Sequence, residues 1–432
     1  MRRKRNITNL KSQRGVVITL VAVLMLFVVG AMAALSIDVV TFYTARSEAQ
    51  LAADAAALAG ARALANSGAT SDTTGVSMAN AWTVAQAVAL QVAEQNQVAG
   101  TNLTAAQVTV PAAPAGTLPT NPTFTVSVQL TNLPTFFARI WGTKFITLSA
   151  SATAEAYNPS GASATTAGTT IPVAPICVKP WLLPNIDPSP GGTTIFSATT
   201  GAITNSALLG WTSGTQLQTA CSNNCSPPPL PTPIAWNFYP GDATTTFPPP
   251  THALPTCAPA LTTPYEESIA GCIQTNAIAC NSTANIDTNN YFTRKTETAH
   301  GVNCLTHSAT NKGDQVDPAY ASPPFQFLAG NDNPITGLAG NDVMVSDSLV
   351  TVPVFDVGSG PPFSPPTNPV QIIGFVQLFL SPNGMATPTF GMNRGRVNTT
   401  VINMAGCGTG ATGTPILGNG ASPVAVRLIS PP

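Results

Sequence analysis

The segment GVVITLVAVLMLFVVGAMAALSI, residues 15–37, decides how the rest of the chain is arranged. Its 23 residues include no ionisable side chain. An α-helix rises about 1.5 Å per residue, so the segment would cover about 34 Å, slightly more than the hydrocarbon core of a bilayer. The sequence therefore predicts a transmembrane helix over residues 15–37.

Charged residues flank this segment unequally. Six basic residues and no acidic residue precede it, within residues 1–14, and Asp38 is the first charged residue after it. Segments rich in Lys and Arg stay on the cytoplasmic side of a membrane. We therefore expect a single-pass protein of the bacterial inner membrane, with a cytoplasmic N-terminus and the bulk of the chain in the periplasm or at the cell surface.

Two processing events remain as alternatives to a retained helix. Residues 31–33 form an A-x-A triplet of the kind that signal peptidase recognises, and Arg14-Gly15-Val16 has the form of a prepilin leader. The apolar run is long for a signal sequence. The fifth position after the glycine is Leu20, where type IV pilins have glutamate. Whether the leader or the helix is cleaved stays open at this point.

The composition indicates an exported protein without a nucleic-acid partner. Of the 432 residues, 44% are hydrophobic and only 8% are charged, against about 25% charged in ordinary soluble domains. The 17 basic residues include the six before the apolar segment, so the remainder carries more acids than bases. A protein without a basic surface lacks the electrostatic requirement for binding nucleic acid.

All eight cysteines follow the apolar segment, and an even number in an exported chain indicates disulfides. Eight cysteines allow 105 pairings, and the sequence does not choose among them. Zinc is the alternative, with Cys221-x3-Cys225 as one half-site and His300 and His307 as the other, but their spacing does not suit a zinc finger. The disulfide candidates are Cys177, Cys221, Cys225, Cys257, Cys272, Cys280, Cys304 and Cys407.

The residues after Asp38 continue the helical pattern. Eleven of the 21 residues from 45 to 65 are alanine, the strongest helix former, so one helix about 75 Å long is expected, ending at Gly60 or within residues 66–68. Small side chains recur every three or four residues and form a seam that suits either a partner helix or packing within the same domain. The seam consists of Ala45, Ala49, Ala52, Ala56 and Ala59.

The block from Arg14 to Leu64 resembles the N-terminal module of the TadE/TadG-like proteins of the tight-adherence (Flp pilus) assembly system. The resemblance rests on an Arg-Gly before the span, an Ile-Asp at its end, and an aromatic residue, an Arg, a Gln and an Ala-Asp-Ala-Ala-Ala-Leu-Ala run after it. It implies a role in pilus assembly or surface attachment, with pilus-assembly or pilin-like proteins as partners of the alanine-rich helix. The residues that carry it are Gly15, Asp38, Tyr43, Arg46, Gln50 and Asp54.

The remaining patterns predict the fold class. A second helix is expected over residues 76–97 and strands over 107–110, 123–130 and 145–157. They make residues 38–157 an α+β module, pilin-like by analogy, followed by a flexible linker at 158–170. Residues 171–432, rich in Pro and Cys, are expected to form a loop-rich, disulfide-containing, mainly β domain. Its strands are expected at 342–357, 369–380, 396–406 and 423–430, and long loops or poor order at 212–323.

Catalytic motifs are absent from the sequence. His252, His300 and His307 occur without a G-x-S-x-G, HExxH or P-loop pattern. Residues 356–360 resemble the metal-binding loop of von Willebrand A domains but have glycine where two hydroxyl ligands belong. We therefore expect no enzyme activity, cofactor, metal or small-molecule substrate. The expected function is a membrane-anchored structural component of pilus assembly or secretion, and the alternative is a surface adhesin with the same anchor.

Overall fold

The chain forms two compact units. The computed structural model describes residues 10–113, 121–162, 170–187, 193–210, 216–219, 236–250, 254, 256–258, 260–272, 278–287, 294–307, 313–331, 333, 337–343, 346–357, 368–381, 397–418 and 421–429. The first unit comprises Met1–Ala56, Leu90–Val110 and Val126–Ala152, and the second comprises Ala57–Ala89, Pro111–Thr125 and Thr153–Pro432. The two units are described in turn.

The described residues contain five α-helices and 18 strands. The helices are α1 (Leu10–Asn66), α2 (Met78–Glu94), α3 (Pro159–Ala162), α4 (Pro264–Ala270) and α5 (Arg294–Leu305). The strands of the N-terminal third are β1 (Gln97–Val98), β2 (Thr101–Asn102), β3 (Val108–Thr109), β4 (Thr123–Pro134) and β5 (Phe145–Tyr157). The others are β6 (Val173–Ala174), β7 (Trp181–Pro184), β8 (Gln216–Thr219), β9 (Trp236–Pro240), β10 (Thr283–Ala284), β11 (Gln315–Val316), β12 (Phe327–Leu328), β13 (Asp342–Val343), β14 (Leu349–Phe355), β15 (Val370–Leu380), β16 (Val397–Gly406), β17 (Ile416–Leu417) and β18 (Ala425–Ile429).

Helix α1 is the longest element, with 57 residues. It has no proline, and the alanines concentrated from residue 45 onward favour the helical state there. It ends at Asn66, two residues before Gly68, whose φ of 80° lies in the left-handed region that a side chain disfavours. The predicted continuation of the membrane segment into a long helix is thus confirmed, as is its end within residues 66–68.

The first unit combines the N-terminal part of α1 with three neighbouring strands. Strand β4 lies between β3 and β5, and β3 pairs antiparallel with β4, with Val108 opposite Val128. Burial alternates along β4, where Val126, Val128 and Leu130 are buried, as expected for a strand with one face in the core. The predicted strands at 107–110, 123–130 and 145–157 are confirmed, although β4 continues to Pro134.

Six strands of the second unit close into a ring. Their order is β15-β14-β7-β9-β8-β16, and β16 also pairs with β15. The β14–β15 and β15–β16 pairs are antiparallel, whereas β14–β7 and β8–β9 are parallel. Closure leaves no free edge among these strands. The C-terminal region is therefore mainly β, as predicted.

One buried apolar cluster joins the ring to two helices. Val350, Val352 and Val354 alternate along β14 and belong to the same cluster as Ile269 of α4 and Val302 of α5. The prediction of long loops or poor order at residues 212–323 is wrong for these two helices. Helix α4 has only seven residues and α5 has few apolar ones, so neither carries the apolar period by which a helix is recognised in a sequence.

Residues 158–162, the start of the predicted linker, differ from that prediction. They include helix α3, and both Asn158 and Ser160 are buried. Asn158 Nδ2 donates to the carbonyl oxygen of Met404 at 3.0 Å, and Ser160 Oγ accepts from the amide of Gly406 at 2.6 Å. These hydrogen bonds tie the segment to β16 inside the second unit. Residues 163–169 lie outside the described part of the chain.

Candidate functional site

The segment from Val16 to Ile37 exposes its apolar side chains on all sides. Leu26 and Phe27 are each 75% exposed, and no residue of the most apolar window of α1 is buried. An apolar surface of this size is unfavourable in water and marks contact with a membrane or a protein. The helix is long and apolar enough to cross a membrane.

Asp38 ends this exposed segment and is itself buried, with 1% of its surface exposed. Its carboxylate accepts three hydrogen bonds from consecutive backbone amides, Phe136 N at 3.0 Å, Phe137 N at 2.9 Å and Ala138 N at 2.7 Å. These amides belong to the connection between β4 and β5. Charge-assisted hydrogen bonds are roughly twice as strong as neutral ones, so Asp38 fixes this connection to α1.

The surroundings of Asp38 favour the charged carboxylate. Burial by itself raises the pKa of a carboxyl group, but the three amides stabilise the anion and outweigh burial, so the pKa of Asp38 lies below its ordinary value. Asp38 is therefore ionised at neutral pH. Its position fits a structural role, because every hydrogen bond it makes is to the backbone of its own unit.

The other predicted motif residues are exposed or joined by a hydrogen bond along α1. Gly15, Tyr43 and Arg46 are exposed, Tyr43 at 78%. Gln50 Nε2 donates to Asp54 Oδ1 at 2.8 Å and to the carbonyl oxygen of Ser151 on β5 at 3.0 Å. Asp38 and Gln50 therefore attach α1 to the sheet, and their roles in recognition remain a prediction.

The predicted alanine seam is largely buried. Ala45, Ala49, Ala52 and Ala56 are each at most 1% exposed, and Ala59 is half-buried. Small side chains let neighbouring backbone approach closely, which is the property the spacing indicated. The burial favours packing within the chain itself, the second of the two interpretations. Packing of the seam against a partner helix stays a prediction.

A cleft of about 780 Å³ lies beside α1 in the first unit. The helix contributes Val40, Thr44 and Glu48, and the opposite wall includes Thr101 and Leu133. Glu48 accepts a hydrogen bond from the amide of Ala99 at 2.7 Å, so its carboxylate holds the wall in place. No sequence pattern indicated this cleft, because its opposite wall comes from short β segments distant in the chain.

Six of the eight cysteines form pairs at bonding distance, all within the second unit. The pairs are Cys177–Cys272, Cys257–Cys304 and Cys280–Cys407, with Cα separations of 4.3, 5.4 and 6.0 Å. They confirm the prediction of disulfides in the C-terminal region. Cys221 and Cys225 lie outside the described residues. The pairs link residues 47 to 127 positions apart, which no local pattern encodes.

Two of the histidines considered for catalysis or zinc have carboxylate neighbours. His300 Nδ1 lies 3.1 Å from Glu266 Oε1, and His307 Nε2 lies 3.8 Å from Asp347. Glu266 also accepts from the amide of Thr263 at 3.2 Å, and this pair forms the N-terminal cap of α4. Within the described ranges, no three His, Cys, Asp or Glu residues are grouped as metal ligands. His252 and residues 358–360 lie outside those ranges.

Comparison with known proteins identifies the N-terminal segment. Residues 15–63 match the family model described as Flp pilus-assembly TadE/G-like. The match contains the exposed apolar segment, Asp38 and the alanine seam, and it confirms the resemblance predicted over this stretch. No curated protein and no solved structure matches the chain.

Proposed function

We propose, from the TadE/G-like match of residues 15–63, that this protein is a membrane-anchored structural component of Tad-type pilus assembly or secretion. The observation that carries the proposal is that the matched segment contains the exposed apolar helix. A family motif and a membrane-compatible surface coincide there. The family description supports a structural rather than a catalytic role.

The orientation forms part of the proposal. The basic residues before Gly15 favour a cytoplasmic N-terminus, which puts Asp38 and all residues after it in the periplasm. Disulfides form and persist in that compartment, and the three cysteine pairs of the second unit support it. A basic flank that stays in the cytoplasm is the pattern of single-pass inner-membrane proteins, so the inner membrane is part of the proposal.

The partner surface is proposed on exposed residues of α1. Contact with other pilus-assembly proteins was predicted through the alanine seam, but Ala49, Ala52 and Ala56 are buried. The exposed side of the same helix carries Tyr43 and Leu51 at 78% and 64% exposure. We place the partner contact there. Likewise, a pilin-like arrangement of residues 38–157 is proposed by analogy with the family.

Topology and pilus assembly can be tested in the same strain. A periplasm-dependent reporter fused after residue 160 should be active, and carbonate washing should leave the protein in the membrane. Deletion of the gene should abolish Flp pili, and the full chain should restore them. A reporter active only in the cytosol, or pili that assemble normally in the deletion strain, would contradict the proposal.

Protease treatment of intact cells separates this function from that of a surface adhesin. Everything after residue 63 lies outside the family match, so the C-terminal region could be displayed outside the cell. For a periplasmic component, cleavage of the C-terminal region should require permeabilisation of the outer membrane. Cleavage on intact cells would favour the adhesin.

A further inference from the structure

The connection between β4 and β5 presents an apolar and basic surface. We call residues 135–145 the tip. Phe136, Ile140 and Phe145 are 63%, 75% and 57% exposed. Arg139 and Lys144 are exposed among them, and no acidic residue occurs from position 131 to position 150. Three exposed large apolar side chains within ten residues are unusual on a surface that faces water alone.

The tip is held in one shape by its own hydrogen bonds. The amide of Thr135 donates to the carbonyl oxygen of Lys144 at 3.2 Å, and the amide of Thr143 donates to that of Ala138 at 3.3 Å. Asp38 holds the amides of residues 136–138 from the side of α1. The exposed side chains are therefore presented on a fixed backbone.

Two contacts determine the position of the tip along the axis of α1. Asp38 binds the tip, whereas Gln50 binds Ser151 of β5. Twelve helical residues separate these two positions, about 18 Å. The six residue steps from Phe145 to Ser151 cover about 20 Å of strand, so β5 runs alongside the helix and its first residue is level with Asp38. The tip is thus the end of the first unit nearest the apolar segment.

Since Asp38 is the first charged residue after that segment, it lies at the boundary of the hydrocarbon core if α1 spans the bilayer. We infer that the tip rests on the outer surface of the same membrane, with Phe136, Ile140 and Phe145 in the interface and Arg139 and Lys144 on anionic lipid phosphates. This inference rests on the membrane anchoring proposed above. Aromatic and apolar side chains are stable at the headgroup level, and basic residues gain from anionic lipids.

The consequence is a second point of attachment to the membrane. A single helix can tilt and rotate in a bilayer. With the tip seated beside it, the first unit has a fixed orientation relative to the membrane plane.

Photocrosslinking of the full chain in vesicles tests the contact. Benzoylphenylalanine is placed at Ile140, at Leu24 inside the apolar segment, or at Leu51 on α1, in vesicles of phosphatidylethanolamine and phosphatidylglycerol. Leu51 is the matched control, because it is 64% exposed and lies about 20 Å beyond Asp38 along the helix. Lipid adducts are expected at positions 24 and 140, with at least tenfold less at 51.

The outcomes separate this inference from the anchoring on which it rests. An adduct at position 24 without one at 140 overturns the tip contact and leaves the anchor. Absence of an adduct at 24 contradicts the anchor itself. If position 140 in intact cells crosslinks to a protein and not to lipid, the tip binds a protein and the inference is wrong.

The basic residues supply an independent measurement. In the Arg139→Ser/Lys144→Ser double variant, the lipid adduct from position 140 should fall by up to about fivefold for each charge removed, and the adduct from position 24 should not change. Replacing phosphatidylglycerol with phosphatidylcholine should have the same effect on the unmodified tip. An adduct at 140 that is insensitive to both changes would contradict binding of anionic phosphates.

Discussion

A buried carboxylate directly after an apolar segment needs either water or hydrogen-bond donors from the protein, and Asp38 has the latter. Three backbone amides face it. An alanine at this position would leave those amides without an acceptor, and an asparagine would offer one oxygen and no charge. Asp38 therefore holds the tip on α1.

We predict that Asp38→Asn releases the tip without unfolding the protein. Hydrogen exchange at the amides of residues 136–138 should become faster by on the order of tenfold, because the charge-assisted bonds are lost. Exchange in β15 of the second unit should not change, which serves as the control. Unaltered protection of residues 136–138 in the variant would show that Asp38 does not hold them.

The same carboxylate gives a pH dependence with a defined sign. Because the pKa of Asp38 is lower in the folded state, its contribution to stability is present above the unfolded-state pKa, about 3.9. It is lost as the pH falls from there through the folded-state pKa. Protection of residues 136–138 should therefore persist at pH 5 and disappear only in stronger acid. Loss of protection between pH 7 and pH 5 would contradict this assignment.

The buried side chain of Lys179 supports a further prediction at the scale of one residue. It is buried, and its Nζ donates to the carbonyl oxygens of Ile269 and Gly271 at 2.6 Å. Burial lowers the pKa of Lys179 to about 7, and the negative charge of Asp347 partly offsets this decrease. Between pH 7 and the unfolded-state value near 10.4 the unfolded chain binds more protons, so stability rises with pH by at most about 1.4 kcal/mol per unit.

Thermal unfolding of the detergent-solubilised protein between pH 7 and pH 9.5 measures this dependence. The melting temperature should rise across the range in the unmodified protein. It should remain constant in Lys179→Met, because methionine at this position does not titrate. The variant should start lower, because the two carbonyl groups lose their donor. A similar slope in both proteins would assign the pH dependence to another group.

At the scale of the element, the sequence predicted those helices and strands whose pattern is local. Helix α1, helix α2 and strands β4 and β5 follow from runs of alanine or from alternating burial. Helix α5 was missed because its side chains are mainly polar. The amides that bind Asp38 were also missed. Every residue type except proline has a backbone amide, so the sequence does not reveal which amides will bind a carboxylate. The connection between β4 and β5 brings these three to Asp38.

Two neighbouring positions on α1 should respond differently to substitution. Leu51 is exposed and Ala52 is buried. Ala52→Leu should destabilise the protein by about 1 to 3 kcal/mol through overpacking. Leu51→Glu should leave stability unchanged and weaken co-purification of partner proteins. Urea unfolding and pull-down from solubilised envelopes measure the two effects. Loss of partners in Ala52→Leu at full stability would restore the seam as the partner surface.

At the scale of the whole molecule, contacts between distant parts of the chain decide the second unit. Strands β7, β8 and β9 have four or five residues each and are found only through the ring they complete. The pairing of the cysteines also depends on contacts between distant parts of the chain. The sequence predicted that cysteines pair but allowed 105 arrangements, and the fold selects among them by bringing together residues up to 127 positions apart.

The cysteine pairing leads to a prediction that tests both the fold of the second unit and the cellular compartment in which it lies. Non-reducing peptide mapping of protein taken from the envelope should recover the links 177–272, 257–304 and 280–407. Cys280→Ala/Cys407→Ala should cost about 2 to 5 kcal/mol of stability, because this pair closes the longest loop of the three described pairs and is buried in the core. In cells without a periplasmic thiol oxidase, the second unit should become sensitive to protease while α1 stays in the membrane. Free thiols at all six of these cysteines in freshly isolated protein would indicate a reducing compartment, and they would contradict both the pairing and the orientation.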